Sequence, residues 1–292
     1  MYKIGIDIGG TFVKGGIVKN GKIIARDKVP SVKTSDKKEI LNCIKGLIDS
    51  LLVCAKLNPK DISGIGIGMA GSCDKGVCLF MPNLGWRNIP FKKHFEKVYG
   101  CKVEVVNDLK AATLGELNYG YGKKYKDFVF VGLGTGLNIG VVKNGQYIVE
   151  GVEFGHIIVS NDGPVCGCGK KGCLETLVST KALLRNAKKY DKNSPDNVKE
   201  LFESAKQNRD SKKAIDEYLE NLNIGLMNIC NCYRPKAIII GGGIGEALRD
   251  GYINDVNKML KQSSYGYPTA KHSQVFCSKV GNNCGILGSS SL

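Results

Sequence analysis

Long apolar runs and export signals are absent from this sequence of 292 residues. No window of about 18 consecutive apolar residues occurs, which argues against a membrane-spanning helix. The first ten residues, MYKIGIDIGG, contain no basic segment followed by an apolar stretch, so no signal peptide is expected. Repeats of short period, which would indicate a solenoid, are also missing. We therefore expect a globular cytoplasmic protein.

Acidic residues are too few to balance the basic ones. The sequence has 27 Asp and Glu but 42 Lys and Arg, which gives a formal net charge of +15. Such an excess can indicate binding to nucleic acid, a membrane surface or anionic substrates. The lysines occur in scattered pairs such as Lys37-Lys38 and Lys188-Lys189, without a basic run or interleaved aromatic residues. This pattern favours a solvated surface, so neither nucleic acid nor a membrane is expected as a partner.

Cysteine is abundant, with twelve residues, but most stand singly in apolar segments. An even count is compatible with disulfides. Isolated cysteines of this kind usually behave as small buried hydrophobic residues, and the missing export signal favours a reducing compartment. One dense group needs a separate account and is considered below.

A strand, a Gly/Thr loop and a hairpin occur twice, near residue 5 and again near residue 130. Asn20-Gly21 and Asn144-Gly145 are strong signals for hairpin turns within these two segments. The pattern predicts two similar α/β halves, 1–109 and 110–283, with a terminal helix over 284–292 that joins the first half. Ligands would lie in the cleft between the halves. The further predicted elements are helices 35–55, 91–99 and 110–117, strands 62–68, 103–106, 237–240 and 275–277, and helices within 174–262.

Four glycine-rich loops are expected after apolar strands, where backbone N–H groups can approach an anionic ligand. A Walker loop is absent, and Gly66–Gly71 matches G-x-G-x-x-G without a helix pattern after it. Any single loop can equally be a tight turn. The loops are Asp7-Ile-Gly9-Gly10-Thr11, Gly66–Gly71, Gly132-Leu-Gly134-Thr135-Gly136 and Gly241-Gly242-Gly243-Ile-Gly245.

The first and third of these loops each join two strands of a hairpin and each carry a hydroxyl. Asp7 can hold Mg²⁺ through water, because this cation prefers carboxylate and phosphate oxygens. Thr11 and Thr135 can donate to phosphate oxygens, and Gly241–Gly243 can border an adenosine. Two such loops closing on one polyphosphate is the arrangement of the actin-like ATPase and sugar-kinase fold.

Asn107-Asp108 stands at a strand end before a helical pattern. One interpretation is a helix N-cap, where Asn and Asp are favoured. The other is a carboxylate that faces substrate, because phosphoryl transfer to a hydroxyl needs a base within reach of that hydroxyl. Both interpretations can hold at once.

The dense cysteine group is Cys166, Cys168 and Cys173, with His156 ten residues before the first of them. Three cysteines and one histidine form a closed tetrahedral donor set suited to structural Zn²⁺. Buried or redox thiols are the alternative. Zinc would hold Glu153 and Glu175 in place beside it, and carboxylates can bind adjacent sugar hydroxyls. The other histidines, His94 and His272, have no such neighbours and are expected at the surface.

These motifs occur in one order over nearly the whole chain and resemble the ROK family (repressor, open reading frame, kinase). They comprise the Asp7–Thr11 loop, Pro82–Trp86, Asn107-Asp108, Gly132–Gly136, Glu153-x-Gly-His156, Cys166-x-Cys-Gly-x-x-Gly-Cys-x-Glu175 and Gly241–Gly243.

The resemblance implies a two-domain, ribonuclease H-like fold and an ATP-dependent hexose kinase, usually a homodimer, that uses Mg²⁺ and structural Zn²⁺. Glucose is the expected substrate, with phosphorylation at its 6-hydroxyl. Asp108 would match the catalytic base. Asp7, Gly9, Gly10, Thr11, Lys14, Gly134, Thr135, Gly136 and Gly241–Gly243 would bind Mg-ATP. Gly71, Asn83, Asn107, Asp108, Glu153, His156 and Glu175 would bind sugar, and His156, Cys166, Cys168 and Cys173 would bind zinc.

Three departures from the family pattern occur. Phe12 follows the first loop where Lys or Asn is common, Ala70-Gly71 replaces a Pro-Gly pair, and Gly281-Asn-Asn283 replaces Gly-Asn-Asp. Family repressors carry an N-terminal helix-turn-helix, whereas this chain starts on its first strand, so none is expected. The alternatives are a kinase for N-acetylmannosamine, N-acetylglucosamine, fructose or a β-glucoside, a non-catalytic sugar sensor, and an inactive ATP-binding protein.

Overall fold

The computed structural model describes residues 1–148, 152–249, 251–263 and 273–292. Contacts divide the chain into two compact units, Met1–Lys123 with Asn282–Leu292, and Lys124–Gly281. The division falls after Lys123 instead of after residue 109, because the helix that begins at Asp108 packs on the C-terminal helix and the first sheet. Across the described part of the chain, no helix has the length and apolar character needed to cross a membrane.

The first unit is built on a five-stranded mixed sheet flanked by helices, with a smaller antiparallel sheet beside it. The large sheet has the order β3-β2-β1-β4-β8, and the small one has the order β5-β6-β7. The strands are β1 (Tyr2–Ile8), β2 (Phe12–Lys19), β3 (Lys22–Pro30), β4 (Ile62–Met69), β5 (Ser72–Asp74), β6 (Val77–Met81), β7 (Trp86–Ile89) and β8 (Lys102–Asn107). The helices are α1 (Lys37–Ala55), α2 (Phe91–Tyr99), α3 (Asp108–Tyr119) and, at the C-terminus, α10 (Cys284–Ser290).

The second unit repeats the large sheet with the order β11-β10-β9-β12-β13. In both sheets a central strand has an antiparallel neighbour on one side and a parallel one on the other. The strands are β9 (Phe128–Leu133), β10 (Leu137–Lys143), β11 (Gln146–Tyr147), β12 (Ala237–Gly241) and β13 (Gln274–Cys277). The helices are α4 (Glu175–Val178), α5 (Thr180–Tyr190), α6 (Val198–Ser204), α7 (Arg209–Tyr233), α8 (Gly242–Arg249) and α9 (Ile253–Ser263).

The two predicted hairpin turns are present in equivalent positions of the two sheets. Asn20 and Gly21 have φ values of 50° and 76°, and Asn144 and Gly145 have 51° and 75°. Left-handed backbone at both central residues defines the type I′ turn, whose twist matches that of the flanking strands. The internal repeat predicted from the sequence is therefore confirmed.

Helix α10 packs on the first sheet at backbone contact distance, because glycines there leave no Cβ. A Cβ on Gly5 would lie 2.0 Å from the carbonyl oxygen of Ile286, and one on Gly66 would lie 1.8 Å from that of Ser289. Gly5 and Gly66 are register partners in β1 and β4. Gly115 of α3 approaches α10 in the same way, at 2.4 Å. The C-terminus is thus part of the support beneath the ends of β1 and β4.

The strand predicted over 62–68 is confirmed, but the loop prediction that overlaps it is wrong. Residues 66–69 of the predicted loop Gly66–Gly71 belong to β4, where they pair with β1 and β8. Their glycines serve the close packing of α10, which the G-x-G-x-x-G pattern does not distinguish from a ligand loop. The small sheet of β5, β6 and β7 was also not predicted, because its strands have three to five residues and little alternation.

Candidate functional site

In the first unit the loop Gly9–Thr11 connects β1 to β2, as predicted. The Gly9 N–H donates to the carbonyl of Phe12 (3.0 Å), and the Thr11 side chain is exposed. Gly10 lies against Asn83, since a Cβ on Gly10 would be 3.5 Å from the Asn83 Cβ. A predicted nucleotide-binding loop and a predicted sugar-binding residue are therefore neighbours within this unit.

Asp7 is the penultimate residue of β1, and Lys14 is its register partner on β2. Burial raises the pKa of the Asp7 carboxyl above its usual value of 3.8, and the positive charge of Lys14 opposes that shift. A half-buried carboxylate beside a phosphate-type loop is a suitable acceptor for a hydrated divalent cation. Lys14 supplies a compensating charge when no cation is present.

Asp108 is the first residue of α3, and Asn107 is the N-cap of that helix. The Asn107 Oδ1 accepts a hydrogen bond from the Leu109 N–H (2.9 Å), so the capping interpretation is confirmed for Asn107. The Asp108 Oδ1 accepts from the same N–H at 2.9 Å. Asn107 and Asp108 thus share the capping of this N–H at the start of α3.

The pKa of Asp108 is raised from 3.8 to about 6, first by burial and then by the negative charge of Asp7. Backbone N–H groups and the Asn107 side chain oppose this rise. At pH 7 the carboxyl is mainly ionised, yet its proton affinity is far higher than that of an exposed aspartate. Such tuning suits a general base.

Gly71 follows β4 and is tied to the Asp108 region by a hydrogen bond. The Asn107 Nδ2 donates to the Gly71 carbonyl (3.3 Å). A Cβ on Gly71 would lie 2.3 Å from the carbonyl oxygen of Phe80, so this position has no room for a side chain. The Asn107 side chain thus connects the end of β4 to the start of α3.

In the second unit the loop Gly134–Gly136 connects β9 to β10 and contacts Glu175, the first residue of α4. The Glu175 Oε2 accepts from the Leu137 N–H (3.0 Å), and a Cβ on Gly136 would lie only 2.5 Å from that oxygen. Thr135 is exposed at the loop tip. The predicted phosphate loop and a predicted sugar-binding carboxylate are thus in direct contact.

Gly241–Gly243 lies beside this loop because β12 is the parallel neighbour of β9, with Gly241 opposite Gly132. Gly242 has a φ of 86°, and a Cβ there would lie 2.0 Å from the carbonyl oxygen of Leu133. Gly243 has open space around it. Two of the predicted nucleotide-binding segments therefore meet at the ends of adjacent strands.

The predicted zinc ligands come together. The donor atoms of His156, Cys166, Cys168 and Cys173 all lie within 4.8 Å of one another. The Cys166 Sγ is 3.5 Å from the His156 Nδ1, and the Cys168 Sγ is 3.6 Å from the Cys173 Sγ. A tetrahedral zinc ion separates its sulfur and nitrogen ligands by roughly 3.5–3.8 Å, so this donor set fits the ion.

Tight turns build this cysteine knuckle, defined as residues 156–173. The Cys166 N–H donates to the Lys170 carbonyl (2.7 Å), and Gly169 and Gly172 have φ values of 88° and 70°. A Cβ on Gly172 would lie 1.6 Å from the carbonyl oxygen of Ser160. Only glycine fits at position 172, and the positive φ at position 169 also favours glycine.

Glu153 is exposed, and Asn138 of β10 holds the backbone beside it. The Asn138 Nδ2 donates to the Glu153 Oε2 (3.4 Å), and its Oδ1 accepts from the Phe154 N–H (3.1 Å). Sequence reasoning missed Asn138. The available signal was a polar residue directly after the loop in an otherwise apolar strand.

Cys284 of α10 is close to Asp7, and burial together with the charges of Asp7 and Glu116 raises the pKa of its thiol to about 12. His94 is half-buried, with its ring edge-on to Phe95, and is not the surface residue expected. His272 lies outside the described residues.

Known proteins are similar to this chain in both sequence and fold. A glucokinase of Streptomyces coelicolor is 31% identical over 314 residues, which cover 99% of this chain and 96% of the relative. A xylose repressor of Caldicellulosiruptor bescii is 32% identical over 283 residues, covering 90% of this chain and 70% of the repressor. A crystal structure of a ROK family glucokinase from Streptomyces griseus in complex with glucose and AMPPNP has a TM-score of 0.84 and 29% identity, covering 100% of this chain and 98% of that one.

These likenesses confirm the predicted fold class, an α/β fold of the two-domain actin-like ATPase and sugar-kinase type. The ROK family matches residues 3–292. Because this match extends over nearly the whole chain, in agreement with the order of motifs in the sequence, the chain belongs to the ROK family.

Proposed function

We propose that this protein is an ATP-dependent hexose kinase that transfers the γ-phosphoryl group of Mg-ATP to the 6-hydroxyl of glucose. The observation that carries the proposal is Asp108, a half-buried carboxyl with a pKa of about 6 at the start of α3. The kinase relatives support the reaction class, since glucokinases match the chain over almost its whole length.

In the proposed reaction, Asp108 accepts the proton of the 6-hydroxyl as that oxygen attacks the γ-phosphorus. The raised pKa makes this carboxylate a stronger base than an exposed aspartate while leaving it mainly ionised at pH 7. Asn107 shares the capping of the helix start with Asp108, since both side chains accept from the Leu109 N–H. Positioning and charge stabilisation supply most of the rate in phosphoryl transfer.

The nucleotide contacts that we propose are in the glycine-rich segments. Thr11 and Thr135 offer exposed hydroxyls to phosphate oxygens, and Gly243 has space beside it for a ligand. Asp7 would hold the magnesium ion, because Mg²⁺ prefers carboxylate and phosphate oxygens as ligands. When bound, this ion would neutralise phosphate charge. Lys14, which lies on the neighbouring strand β2, would also bind ATP.

The sugar contacts that we propose are Gly71, Asn83, Asn107 and Asp108 in the first unit, and Glu153, His156 and Glu175 in the second. The hydrogen bond from Asn107 to Gly71 and the contact between Gly136 and Glu175 support these assignments, because each joins residues predicted to bind ligand. Amide and carboxylate side chains of this kind form hydrogen bonds with the hydroxyl groups of a hexose.

Structural zinc at His156, Cys166, Cys168 and Cys173 is also part of the proposal, supported by the fit of the donor set. The ion would hold the cysteine knuckle, which leads through Cys173 directly into Glu175. A chain that contains about one zinc per protomer by elemental analysis is expected. A metal-free protein that is folded and fully active would contradict this assignment.

We further propose a cytoplasmic homodimer. The twelve cysteines all lie among the described residues and form no disulfide with one another, which is typical of a reducing compartment. Kinase activity does not require nucleic acid or a membrane, and neither is proposed as a partner. Sedimentation of the purified chain would test the dimer.

A sugar-responsive regulator is the second candidate, because xylose repressors also match this chain. The deciding experiment is a coupled ADP-release assay with glucose, fructose, N-acetylmannosamine, N-acetylglucosamine and a β-glucoside, with and without Mg²⁺. Turnover that requires Mg²⁺ and is greatest with glucose is expected. Sugar binding without ADP release would favour the regulator.

A further inference from the structure

Two cysteines face each other in the small sheet of the first unit, outside the cysteine knuckle. Cys73 on β5 and Cys78 on β6 are direct register partners. The turn between these strands consists of Lys75 and Gly76, whose φ values of 45° and 80° indicate a type I′ hairpin.

The pair occupies the register position where a disulfide can close. In a two-residue hairpin the residues that flank the turn, here Asp74 and Val77, form a hydrogen-bonded pair, and the next pair is non-hydrogen-bonded. Residues in such a pair have Cα atoms about 4.5 Å apart. That separation lies within the range of about 4.4–6.8 Å found across disulfides.

Both thiols lie on the side of the hairpin that faces the core. Cys78 is fully buried in the hydrophobic core of the unit, and Cys73 packs against that core while keeping part of its surface exposed. The Cys73 Sγ contacts the Val105 carbonyl oxygen at 3.8 Å, so closing a disulfide requires rotation about its Cα–Cβ bond.

We propose that Cys73 and Cys78 are a reversible redox site, which a hydroperoxide converts to an intrahairpin disulfide. The Cys73 thiolate attacks the hydroperoxide, the O–O bond breaks, an S–OH bond forms, and the departing alkoxide takes a proton to become an alcohol. The Cys78 sulfur then attacks the Cys73 sulfur. The S–O bond breaks, and the released hydroxide takes the Cys78 proton to form water. Two thiols lose two electrons in total, and the hydroperoxide gains them.

Cys73 is the residue that reacts first with the hydroperoxide, because it is the more accessible member of the pair. Burial raises the pKa of the Cys78 thiol to about 11, which keeps it protonated and slow to react with an external oxidant. Its proximity to Cys73 makes it the resolving thiol. Disulfides in reducing compartments are usually transient and redox-sensing, which suits this arrangement.

The hairpin is linked to the residues proposed to bind sugar. Its first strand continues from Gly71, whose carbonyl accepts the Asn107 side chain, and its second strand leads toward Asn83. The hairpin tip is held on α2 by the Lys92 N–H, which donates to Gly76 (3.0 Å). This part of the inference rests on the proposed function. It predicts that oxidation raises KM for glucose at least threefold, reversibly, with KM for ATP unchanged.

The sequence allows a direct test, since trypsin cleaves after Lys75, between the two cysteines. The full-length protein is treated with tert-butyl hydroperoxide, its free thiols are alkylated, and it is digested. Peptides 61–75 and 76–87 each contain one cysteine. We expect them joined, with the summed mass minus two hydrogens, and separated again by dithiothreitol.

Cys73→Ser abolishes the linked species, whereas Cys54→Ser, on the exposed surface of α1, leaves it unchanged. If Cys78→Ser folds poorly because that site is buried, the Cys73 variant is sufficient. Recovery of Cys73 only as sulfinic acid, or joined to Cys101, would overturn the proposal. The peptide readout does not depend on activity. An inactive reduced enzyme would therefore count against the kinase function alone, and a linked enzyme with unchanged KM would count against the coupling to sugar binding.

Discussion

Replacement of Asp108 by Asn separates the catalytic role of this carboxyl from its effect on stability. The structure raises its pKa from 3.8 to about 6, mainly by burial and then by Asp7. One pKa unit corresponds to about 1.4 kcal/mol, so the ionised carboxyl costs the folded state about 3 kcal/mol at pH 7.

The sign follows from proton linkage. Because the folded state binds the proton more tightly than the unfolded state, the protein loses stability as pH rises from about 4 to about 6, and the loss persists above pH 6. Asn carries no charge, so Asp108→Asn removes this cost. We expect a gain of about 1–3 kcal/mol at pH 7 that disappears near pH 4. Part of the gain is offset by the weaker hydrogen bond to Leu109.

Turnover should change in the opposite direction. Loss of a positioned base typically lowers kcat by about 10²–10⁴-fold. In the wild type, kcat should fall as pH drops through about 6, since the protonated carboxyl cannot accept the sugar proton. The assays are coupled ADP release from pH 5 to 8, and denaturant unfolding of both proteins over the same range.

Two results would refute this reasoning. An Asp108→Asn variant with kcat within tenfold of wild type would remove this carboxyl from the chemistry. A variant whose free energy of unfolding is lower than that of wild type by the same amount at pH 7 and at pH 4 would also refute it. Such a result would show that burial of the ionised Asp108 carboxyl does not destabilise the folded state. Asn107→Asp is a useful comparison, because it retains a capping side chain at the adjacent position.

Three other changes give distinct outcomes. Gly66→Ala should destabilise the first unit by about 3 kcal/mol or more in denaturant unfolding, because its Cβ would overlap a carbonyl of α10. Gly46 is exposed in the middle of α1 with open space around it, so Gly46→Ala should stabilise the protein by about 0.5–1 kcal/mol. Equal effects of Gly66→Ala and Gly46→Ala on the free energy of unfolding would contradict the packing argument. Gly136→Ala should raise KM for glucose several-fold with little loss of stability, since its Cβ would displace a flexible carboxylate, whereas Gly134→Ala, with free space, should change KM less. Removal of zinc by a chelator should lower the melting temperature, and Cys173→Ser should show no further loss on chelation.

Much of the fold was predictable because its signals are local. Both hairpin turns carry Asn-Gly, and left-handed backbone at two successive residues is what that pair favours. Helix α1 begins after Asp36, whose side chain accepts from the Lys38 N–H (2.8 Å), and buries an apolar face with helical spacing. The end of β1 at Ile8 was predicted because glycine follows alternating apolar residues there.

The loop predicted at Gly66–Gly71 failed for the opposite reason. Glycine permits close approach of either a ligand or another backbone, and the sequence does not distinguish them. At Gly66 the neighbour is α10, which is more than two hundred residues away in the chain. The hairpin that contains Cys73 and Cys78 was missed because its short strands gain stability from pairing with β7 and from the core beneath them.

The sequence by itself determined the order of motifs, the hairpin turns, the capping pair Asn107-Asp108 and the grouping of His156 with three cysteines. Those features depend on residue type and on short spacing along the chain, so they can be predicted without the tertiary structure. Only the tertiary structure decided the proton affinity of Asp108, because that depends on burial and on the charge of Asp7, a hundred residues away. It also decided that Glu175 contacts Gly136, through the packing of a helix start against a loop. Desolvation and contacts between distant segments arise only when the chain is folded, and they turn a recognisable set of residues into a site with defined chemistry.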